Sequence, residues 1–293
     1  MSAKHPIIAI TGSSGAGTTT MREIFEDIFR REGVHAVTIE GDSFHRYERE
    51  ELNRLNNERE AKGKPLVSLF GPDANHFDKL ENLFRVYSET GTGKHRHYLH
   101  DEAAATKYGQ AAGTFTPWEA LPEHTDLLFY EGLHGAVRTD KVNVARYPDL
   151  LIGITPVINL EWIQKIHRDT RMRGYSREAV TTAILARMDD YLHYIVPQFG
   201  ETHINFQRVP LVDTSNPIIA RAIPTESESM VIIRFADPRG VDFPYLLAMI
   251  PHSFMSRANT IVIPGDRQDL AMQLILTPLL WELMAKKENA SLG

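Results

Sequence analysis

Residues 7–20 read IIAITGSSGAGTTT, an apolar run that leads directly into a loop rich in glycine and hydroxyl residues. Residues 21–31 have a helical pattern, so the order is strand, glycine loop, helix. Such a loop points backbone N–H groups and a helix N-terminus at an anion. The sequence therefore predicts a nucleotide-phosphate site formed by Gly12, Ser13, Ser14, Gly15, Ala16, Gly17, Thr18, Thr19 and Thr20.

This loop departs from the usual pattern at one position. Thr18 stands where the motif G-x-x-x-x-G-K-[ST] has a lysine, whereas Thr19 keeps the hydroxyl that such loops offer to Mg²⁺. An ordinary strand-to-helix turn is the simpler interpretation of the same residues. If the loop binds a triphosphate, its β- and γ-phosphates need a cation from another part of the chain.

Two carboxylates follow predicted strands. Asp42 comes just after residues 36–39, and Glu131 ends the apolar run 127–130. Because the carboxyl ends of parallel strands meet at one edge of a sheet, both should lie near the loop. Asp42 is then placed to accept the proton of an attacking hydroxyl, and the candidate Mg²⁺ ligands are Thr19, Asp42 and Glu131. Capping roles at a helix start and a strand end are the alternatives.

Residues 163–178 are rich in arginine and are the candidate source of the cation that the phosphate loop lacks. If this segment is helical, Lys165 and Arg168 share one face, and Arg173 extends the basic stripe to Gly174. Cations on a mobile element can close over a polyphosphate and neutralise charge in the transition state. A solvated basic face or an RNA-contacting stripe is the alternative.

The alternation of strand and helix patterns predicts the fold class. Buried strands are expected at 7–10, 36–39, 127–130 and 150–154, with helices at about 77–87 and 176–195. This order indicates an α/β protein with a P-loop NTPase kinase core, in which a mostly parallel sheet has helices on both faces. The polar stretches 46–68 and 94–116 are either substrate-facing insertions or surface loops.

The last third of the chain adds a β-containing C-terminal portion. Short strands are expected at 209–212, 230–235 and 260–263, followed by a helix over about 270–284 that bends at Pro278 and a frayed tail over 286–293. We expect residues 1–200 to form the kinase core, with a lid near 160–178. Residues 201–293 should pack with that core as one unit.

Composition excludes several classes of partner. The 293 residues carry a net charge of −6 and no cysteine, which argues against bulk binding to nucleic acid, disulfides and thiolate metal sites. No apolar segment approaches the roughly 20 residues of a membrane span, and the apolar N-terminal run is too short for a signal peptide. The sequence therefore predicts a cytoplasmic protein without nucleic-acid or membrane partners.

Several motifs resemble one kinase family position by position. They are Lys165-Ile166-His167-Arg168-Asp169, Arg173-Gly174-Tyr175-Ser176-Arg177-Glu178, residues 12–20, 42–46, 130–135 and 212–217. Together they resemble the bacterial form of the phosphoribulokinase family, in the P-loop kinase group that also holds uridine kinase. The resemblance covers nearly the whole chain. It implies ATP-dependent phosphorylation of ribulose 5-phosphate at its C1 hydroxyl, with Mg²⁺.

The resemblance also implies residue roles. Asp42 is the catalytic base, Glu131 the acid linked to Mg²⁺, and Lys165 and Arg168 belong to the lid. The residues that face the sugar phosphate are His45, Arg49, His100 and Arg173. One departure is Asn53, where photosynthetic bacterial members tend to have lysine, so the affinity for ribulose 5-phosphate or the identity of the sugar stays open.

A histidine-rich loop, residues 94–101, raises a further question. A metal site is one interpretation, although three adjacent cations would repel a divalent ion. The others are a sugar-phosphate contact by His100, which the resemblance favours, and a solvated loop.

Four scattered arginines give one more expectation. In bacterial relatives, arginines at the positions of Arg31, Arg187, Arg234 and Arg257 line subunit contacts where NADH activates and AMP inhibits. The resemblance thus implies a homo-oligomer with an allosteric nucleotide site. The residues alone suggest only solvated or ion-paired arginines.

The sequence therefore predicts a Mg²⁺-ATP-dependent sugar-phosphate kinase. One rival is a uridine kinase or another sugar kinase, which steady-state assays with ribulose 5-phosphate and uridine would separate. The second rival is a nucleotide-binding regulator that lost catalysis together with its loop lysine. The base, the acid and the lid cations argue against this regulator, since a protein that only binds needs no base.

Overall fold

The structure is a computed structural model that describes residues 4–13 and 18–292, apart from the side chains of Thr19, Met172, Arg173 and Leu292. Four predicted loop residues, Ser14, Gly15, Ala16 and Gly17, therefore lie outside the described part, as do the side chains of Thr19 and Arg173. The structure therefore describes only the two ends of the phosphate loop, residues 12–13 and 18–20.

Strands and helices alternate through the first half of the chain. The strands are β1 (Ile7–Gly12), β2 (Ala36–Glu40), β3 (Lys94–His95), β4 (Glu119–Ala120), β5 (Leu127–Gly132), β6 (Leu150–Ile154), β7 (Ile204–Pro210), β8 (Ser229–Phe235), β9 (Phe254–Arg257) and β10 (Thr260–Pro264). The helices are α1 (Thr18–Glu32), α2 (Arg49–Ala61), α3 (Phe77–Thr90), α4 (Glu102–Tyr108), α5 (Ile158–Arg173), α6 (Arg177–Leu185), α7 (Met188–Asp190), α8 (Phe243–Met249) and α9 (Gln268–Leu292).

The main sheet has the strand order β2-β5-β1-β6-β7-β8-β10-β9. In this sheet β2, β5, β1, β6 and β7 pair in parallel, and β8, β10 and β9 add an antiparallel extension. Strands β1 and β6 are buried at every residue because apolar clusters cover both faces of the sheet. The predicted fold class, with its β-containing C-terminal portion, is confirmed.

The strand order also positions the site. Strand β1 lies between β5 and β6, so the carboxyl ends of β1, β2, β5 and β6 open on one edge of the sheet. Ligands of open α/β sheets bind at such an edge, where successive connections diverge. Strand β7, beyond residue 200, pairs with β6, so the predicted core and C-terminal portion share one sheet.

Two predicted segments near the end of the chain are wrong. The strand expected at 209–212 is β7, which begins at Ile204 and ends at Pro210, because Ile204 and Phe206 are the residues buried against the core. The tail expected to fray is helical to residue 292. Lys287 holds it by an ion pair of 2.8 Å between its Nζ and Asp126 Oδ1. Pro278 lies inside this helix.

The helix expected over 176–195 is divided. Ser176 caps α6 as predicted, since its Oγ accepts a hydrogen bond from the Ala179 backbone N–H at 3.1 Å. The helix ends at Leu185, and after α7 the segment Tyr191–Ile195 is a π-helical turn. The polar stretch 46–68 contains α2, a helix without buried residues, so it has no apolar stripe by which the sequence could have revealed it. Within the described residues, no helix is both long and apolar enough to cross a membrane.

Candidate active site

The ends of β2 and β5 approach each other closely at two glycines. A Cβ added to Gly41 would lie 2.9 Å from the Gly132 Cα, and one added to Gly132 would lie 2.7 Å from the Gly41 Cα. A side chain at either position would force the strands apart, so only glycine fits. This contact brings Asp42, which follows Gly41, and Glu131, which precedes Gly132, to one crevice.

Glu131 is an acid of this crevice with a raised pKa. Burial raises the pKa of its carboxyl, and the negative charges of Asp42 and Glu40 raise it further. A hydrogen bond from the Thr18 hydroxyl and the charge of Arg22 act in the opposite direction. Thr18, which replaces the usual loop lysine, thus contacts the acid instead of supplying a cation.

The base of the phosphate loop is sterically fixed. A Cβ on Gly12 would lie 2.8 Å from Thr18 Cγ2 and 3.0 Å from the Ile154 carbonyl oxygen. Ser13 is buried, and Thr20 is exposed on the first turn of α1. The described ends of the loop therefore lie at the same edge as Asp42 and Glu131.

Asp42 lies between two histidines. Its Oδ1 is 3.5 Å from His45 Nε2, and its Oδ2 is 3.5 Å from His100 Nε2. His45 is buried, and burial lowers its pKa although the Asp42 charge opposes this shift. Asp42 itself remains partly exposed, in a 3₁₀ turn (Gly41–Phe44) whose N-cap is Glu40. The carboxylate is thus oriented by imidazoles and open to the crevice, and it does not cap this turn.

Two arginines hold the histidines of this crevice in place. Arg49 begins α2, and its Nη2 donates a hydrogen bond to the His100 carbonyl oxygen at 2.6 Å. Arg96 donates from Nη2 to the His45 carbonyl oxygen at 2.5 Å and from Nε to the Ser43 carbonyl oxygen at 2.8 Å. Its guanidinium lies 3.6 Å from the Phe115 ring centroid. Sequence reasoning missed Arg96, because its hydrogen bonds go to carbonyl groups more than 50 residues away in the chain.

The predicted lid cations share one carboxylate. Lys165 Nζ lies 2.7 Å from Asp169 Oδ2, and Arg168 Nε lies 3.0 Å from Asp169 Oδ1. Lys165 is mostly buried, and burial lowers its pKa although Asp169 opposes the shift. Arg187, expected at an allosteric site, also lowers the pKa of Lys165 and therefore lies near this group.

Helices α5 and α6 pack on each other around a small apolar cluster. Ile166, Val180 and Ile184 make an apolar cluster separate from the two that cover the sheet. Gly174 joins the helices in the left-handed conformation, at φ 72°. This helical hairpin occupies the segment where the sequence predicts the lid.

A buried pair lies near the start of α5. The Tyr191 hydroxyl donates a hydrogen bond to Glu161 Oε2 at 3.0 Å, and burial raises the pKa of both groups. Ser13 of the phosphate loop lowers both pKa values, so it lies beside this pair. The pair lies between Ser13 and the start of α5, and no sequence pattern indicated it.

Two of the four scattered arginines come together. Arg234 on β8 and Arg257 on β9 both pair with Thr260 of β10 and line one cavity of about 490 Å³. Arg31 instead lies between α1 and α9, where its Nη2 donates to Thr277 Oγ1 at 2.9 Å. Within the described chain, the contacts therefore do not join the four into one site.

Comparison with known proteins gives a consistent result. The Phosphoribulokinase / Uridine kinase family matches residues 7–215. A relative from Cupriavidus necator, named "Phosphoribulokinase, chromosomal", is 64% identical over 99% of this chain and 100% of its own length. The phosphoribulokinase of Nitrobacter vulgaris is 64% identical over 98% of this chain and 99% of its own.

A solved structure extends the comparison to the fold. "Phosphoribulokinase from Rhodobacter spheroides" superimposes with a TM-score of 0.90 at 56% identity, over 98% of this chain and 100% of that one. The similarity thus extends through the C-terminal strands and α9, beyond the residues that the family matches.

Proposed function

The chain belongs to the phosphoribulokinase / uridine kinase family, and we propose that it transfers the γ-phosphoryl group of ATP to the C1 hydroxyl of ribulose 5-phosphate. The reaction is that of a phosphotransferase with an alcohol acceptor, and its products are ADP and ribulose 1,5-bisphosphate. The observation that carries the proposal is the position of Asp42, between two imidazoles and beside Glu131.

Asp42 acts as the general base. Its carboxylate accepts the hydroxyl proton as the acceptor oxygen attacks the γ-phosphorus in line with the departing ADP oxygen. The imidazoles of His45 and His100, each 3.5 Å from one of its oxygens, fix the direction of the carboxylate. Burial lowers the pKa of His45, which disfavours a tight ion pair with Asp42.

The crevice fits Mg²⁺. Glu40, Asp42 and Glu131 concentrate negative charge there, and Arg22, 2.8 Å from Glu40 Oε1, offsets part of it. Hard oxygen ligands of this kind suit Mg²⁺, and Thr19, Asp42 and Glu131 would hold it. When bound, the ion neutralises phosphate charge.

The lid supplies the positive charge that the loop lacks. Lys165 and Arg168 are carried on a helical hairpin with its own apolar cluster, and both are paired with Asp169 in this conformation. On closure they move from this carboxylate toward the γ-phosphoryl group. They stabilise its developing charge there, as arginine and lysine do in other phosphoryl transfers.

The sugar phosphate binds on the α2 side of the crevice. Arg49 reaches the backbone of His100, so a dianion between them would meet a guanidinium and an imidazole close to Asp42. Arg173, whose side chain is outside the described part, is proposed to complete this phosphate site from the end of α5.

Effector binding and assembly are further parts of the proposal. The cavity that Arg234 and Arg257 line offers two cations to a nucleotide phosphate, and we assign the NADH and AMP effect to it. An Arg257→Gln variant should lose activation by NADH and keep its basal turnover. We expect a homo-oligomer, which light scattering after size exclusion would measure.

A substrate panel tests the function directly. The protein with Mg²⁺-ATP is offered pentose and pentulose phosphates and uridine, and the products are weighed by mass spectrometry. Ribulose 5-phosphate should give ribulose 1,5-bisphosphate with the highest kcat/KM. Preference for uridine, or tight ATP binding without transfer to any acceptor, would overturn the proposal.

A further inference from the structure

A second group of side chains, outside the crevice, has the geometry of a metal site. Strands β3 and β4 pair antiparallel, with His95 directly opposite Glu119. His95 Nε2 lies 3.5 Å and His97 Nε2 lies 3.8 Å from the same atom, Glu119 Oε1. One nitrogen from each ring and one carboxylate oxygen lie within 4.8 Å of one another. We call these three residues the His95 cluster.

The distances within the His95 cluster fit metal ligands better than hydrogen bonds. An N–H···O bond spans about 2.7–3.2 Å, so both separations to Glu119 Oε1 are too long for one. Around a tetrahedral zinc ion with bonds of about 2.0–2.2 Å, two ligand atoms lie roughly 3.3–3.5 Å apart. The two separations to Glu119 Oε1 would therefore need to change by no more than a few tenths of an ångström to fit one ion.

The neighbouring cations do not oppose an ion at this position. The sequence suggested repulsion by three adjacent cations, but side chains alternate along an extended chain, so Lys94 and Arg96, the neighbours of His95, point the other way. The Arg96 guanidinium is occupied elsewhere, with the carbonyl oxygens of Ser43 and His45. Lys94 is exposed, whereas His95 is buried.

Both imidazole rings of the cluster have restricted positions. His95 is buried, which restricts the movement of its ring. The His97 ring stacks on Tyr108 at 5.2 Å between centroids, which restricts its orientation. The restricted positions of both rings thus favour coordination.

We propose that His95, His97 and Glu119 bind one divalent transition-metal ion, preferentially Zn²⁺, with a fourth position for water. Two imidazole nitrogens and a carboxylate suit Zn²⁺, whereas Mg²⁺ prefers an all-oxygen shell and stays with the crevice. The ion would clamp β3 to β4. Because the chain continues from β3 through Arg96 to His100, the clamp would stabilise the segment that reaches Asp42.

Equilibrium dialysis against Zn²⁺ tests the site. The full chain is freed of metal by a chelator, the chelator is removed, and excess Mg²⁺ is kept present to cover oxygen-only sites. The wild-type protein should bind one equivalent of Zn²⁺. His97→Ala and Glu119→Gln should each weaken binding by at least about tenfold, since each removes a ligand. Zn²⁺ should raise the Tm of the wild type and not that of the variants.

Two matched controls locate the ion. His124 is an exposed histidine beside Glu123, so His124→Ala should leave binding unchanged. His100→Gln removes an imidazole near Asp42 and should also leave it unchanged. No stoichiometric binding by the wild type, equal binding by the His97 and Glu119 variants, or loss in the His100 variant would each overturn the proposal.

Cobalt substitution keeps the test decisive if a variant fails to fold. Co²⁺ in the wild-type protein should give the intense visible bands of a tetrahedral ion, and one equivalent of Zn²⁺ should remove them. The weak spectrum of a six-coordinate ion would overturn the site independently of any variant.

Discussion

The carboxylate edge of the sheet and the α5–α6 hairpin are constructed in opposite ways. At the edge, Gly41 and Gly132 are in backbone contact, and the acids beside them belong to a sheet covered by large apolar clusters. The hairpin has a small apolar cluster of its own, and its cations pair with Asp169. Negative charge is therefore fixed in the sheet, and positive charge lies on a hairpin that we propose to be separable from it.

The largest expected effect tests the fixed side of this comparison. Asp42→Asn removes the base and keeps its shape, so turnover should fall by about 10²–10⁴. ATP binding, measured by calorimetry, should survive because the loop is untouched. The exposed Asp78→Asn serves as a control and should keep normal turnover. Near-normal turnover in the Asp42 variant would remove this residue from the mechanism.

The separable side is tested next. Lys165→Met combined with Arg168→Gln should lower kcat by about 10²–10³, because the transition state loses its added cations. The KM for the sugar phosphate should change little. Arg171→Gln, an exposed arginine of the same helix, should stay within about twofold of the wild type. A double variant with wild-type kcat would show that the hairpin does not supply the charge.

The pH dependence of stability sharpens the contrast. Burial raises the pKa of Glu131 in the folded state, so this group stabilises the fold at low pH and loses that contribution as pH rises through the folded pKa. Glu131→Gln should therefore raise the free energy of unfolding more at pH 8 than at pH 5, while Mg²⁺-dependent turnover is lost.

Urea unfolding of the metal-free protein at both pH values measures this difference. The exposed Glu23→Gln should show a stability change that does not vary with pH. If Glu131→Gln raised the free energy of unfolding equally at pH 5 and pH 8, burial would not destabilise the charged carboxylate of Glu131, and this explanation would be contradicted.

The smallest effect concerns the rim of the acceptor site. Asn53 is exposed on α2, one turn after Arg49. Asn53→Lys should lower the KM for ribulose 5-phosphate about two- to fivefold, as exposed charge pairs contribute roughly 0.2–1 kcal/mol. The kcat should not change, and Arg54→Gln should have little effect on KM. An unchanged KM in the lysine variant would place the sugar phosphate away from this turn.

Much of the fold was predictable because it depends on local patterns. Continuous apolar runs gave β1 and β6, and Ser176 was recognised as a cap because the hydroxyl and its partner N–H are three residues apart. Helix α2 was not predictable, since it buries no side chain and has no apolar stripe. The end of α9 was missed because Lys287 is held by Asp126, which is distant in the chain.

The sequence indicated which functional groups form the site, but it did not indicate which of them are in contact. The strand ends indicated Asp42 and Glu131, but the contact of Gly41 with Gly132 depends on the register between β2 and β5. The pairing of His95 with Glu119 depends likewise on the register between β3 and β4. The sequence showed a histidine-rich loop without the carboxylate that completes the cluster.

A structure of the enzyme with Mg²⁺ and a non-hydrolysable ATP analogue tests most directly whether the hairpin replaces the loop lysine. We expect Lys165 Nζ and the Arg168 guanidinium to leave Asp169 and to lie within about 3.2 Å of oxygens of the terminal phosphate. If the hairpin closes with both side chains still on Asp169 and another cation contacts that phosphate, the account is contradicted.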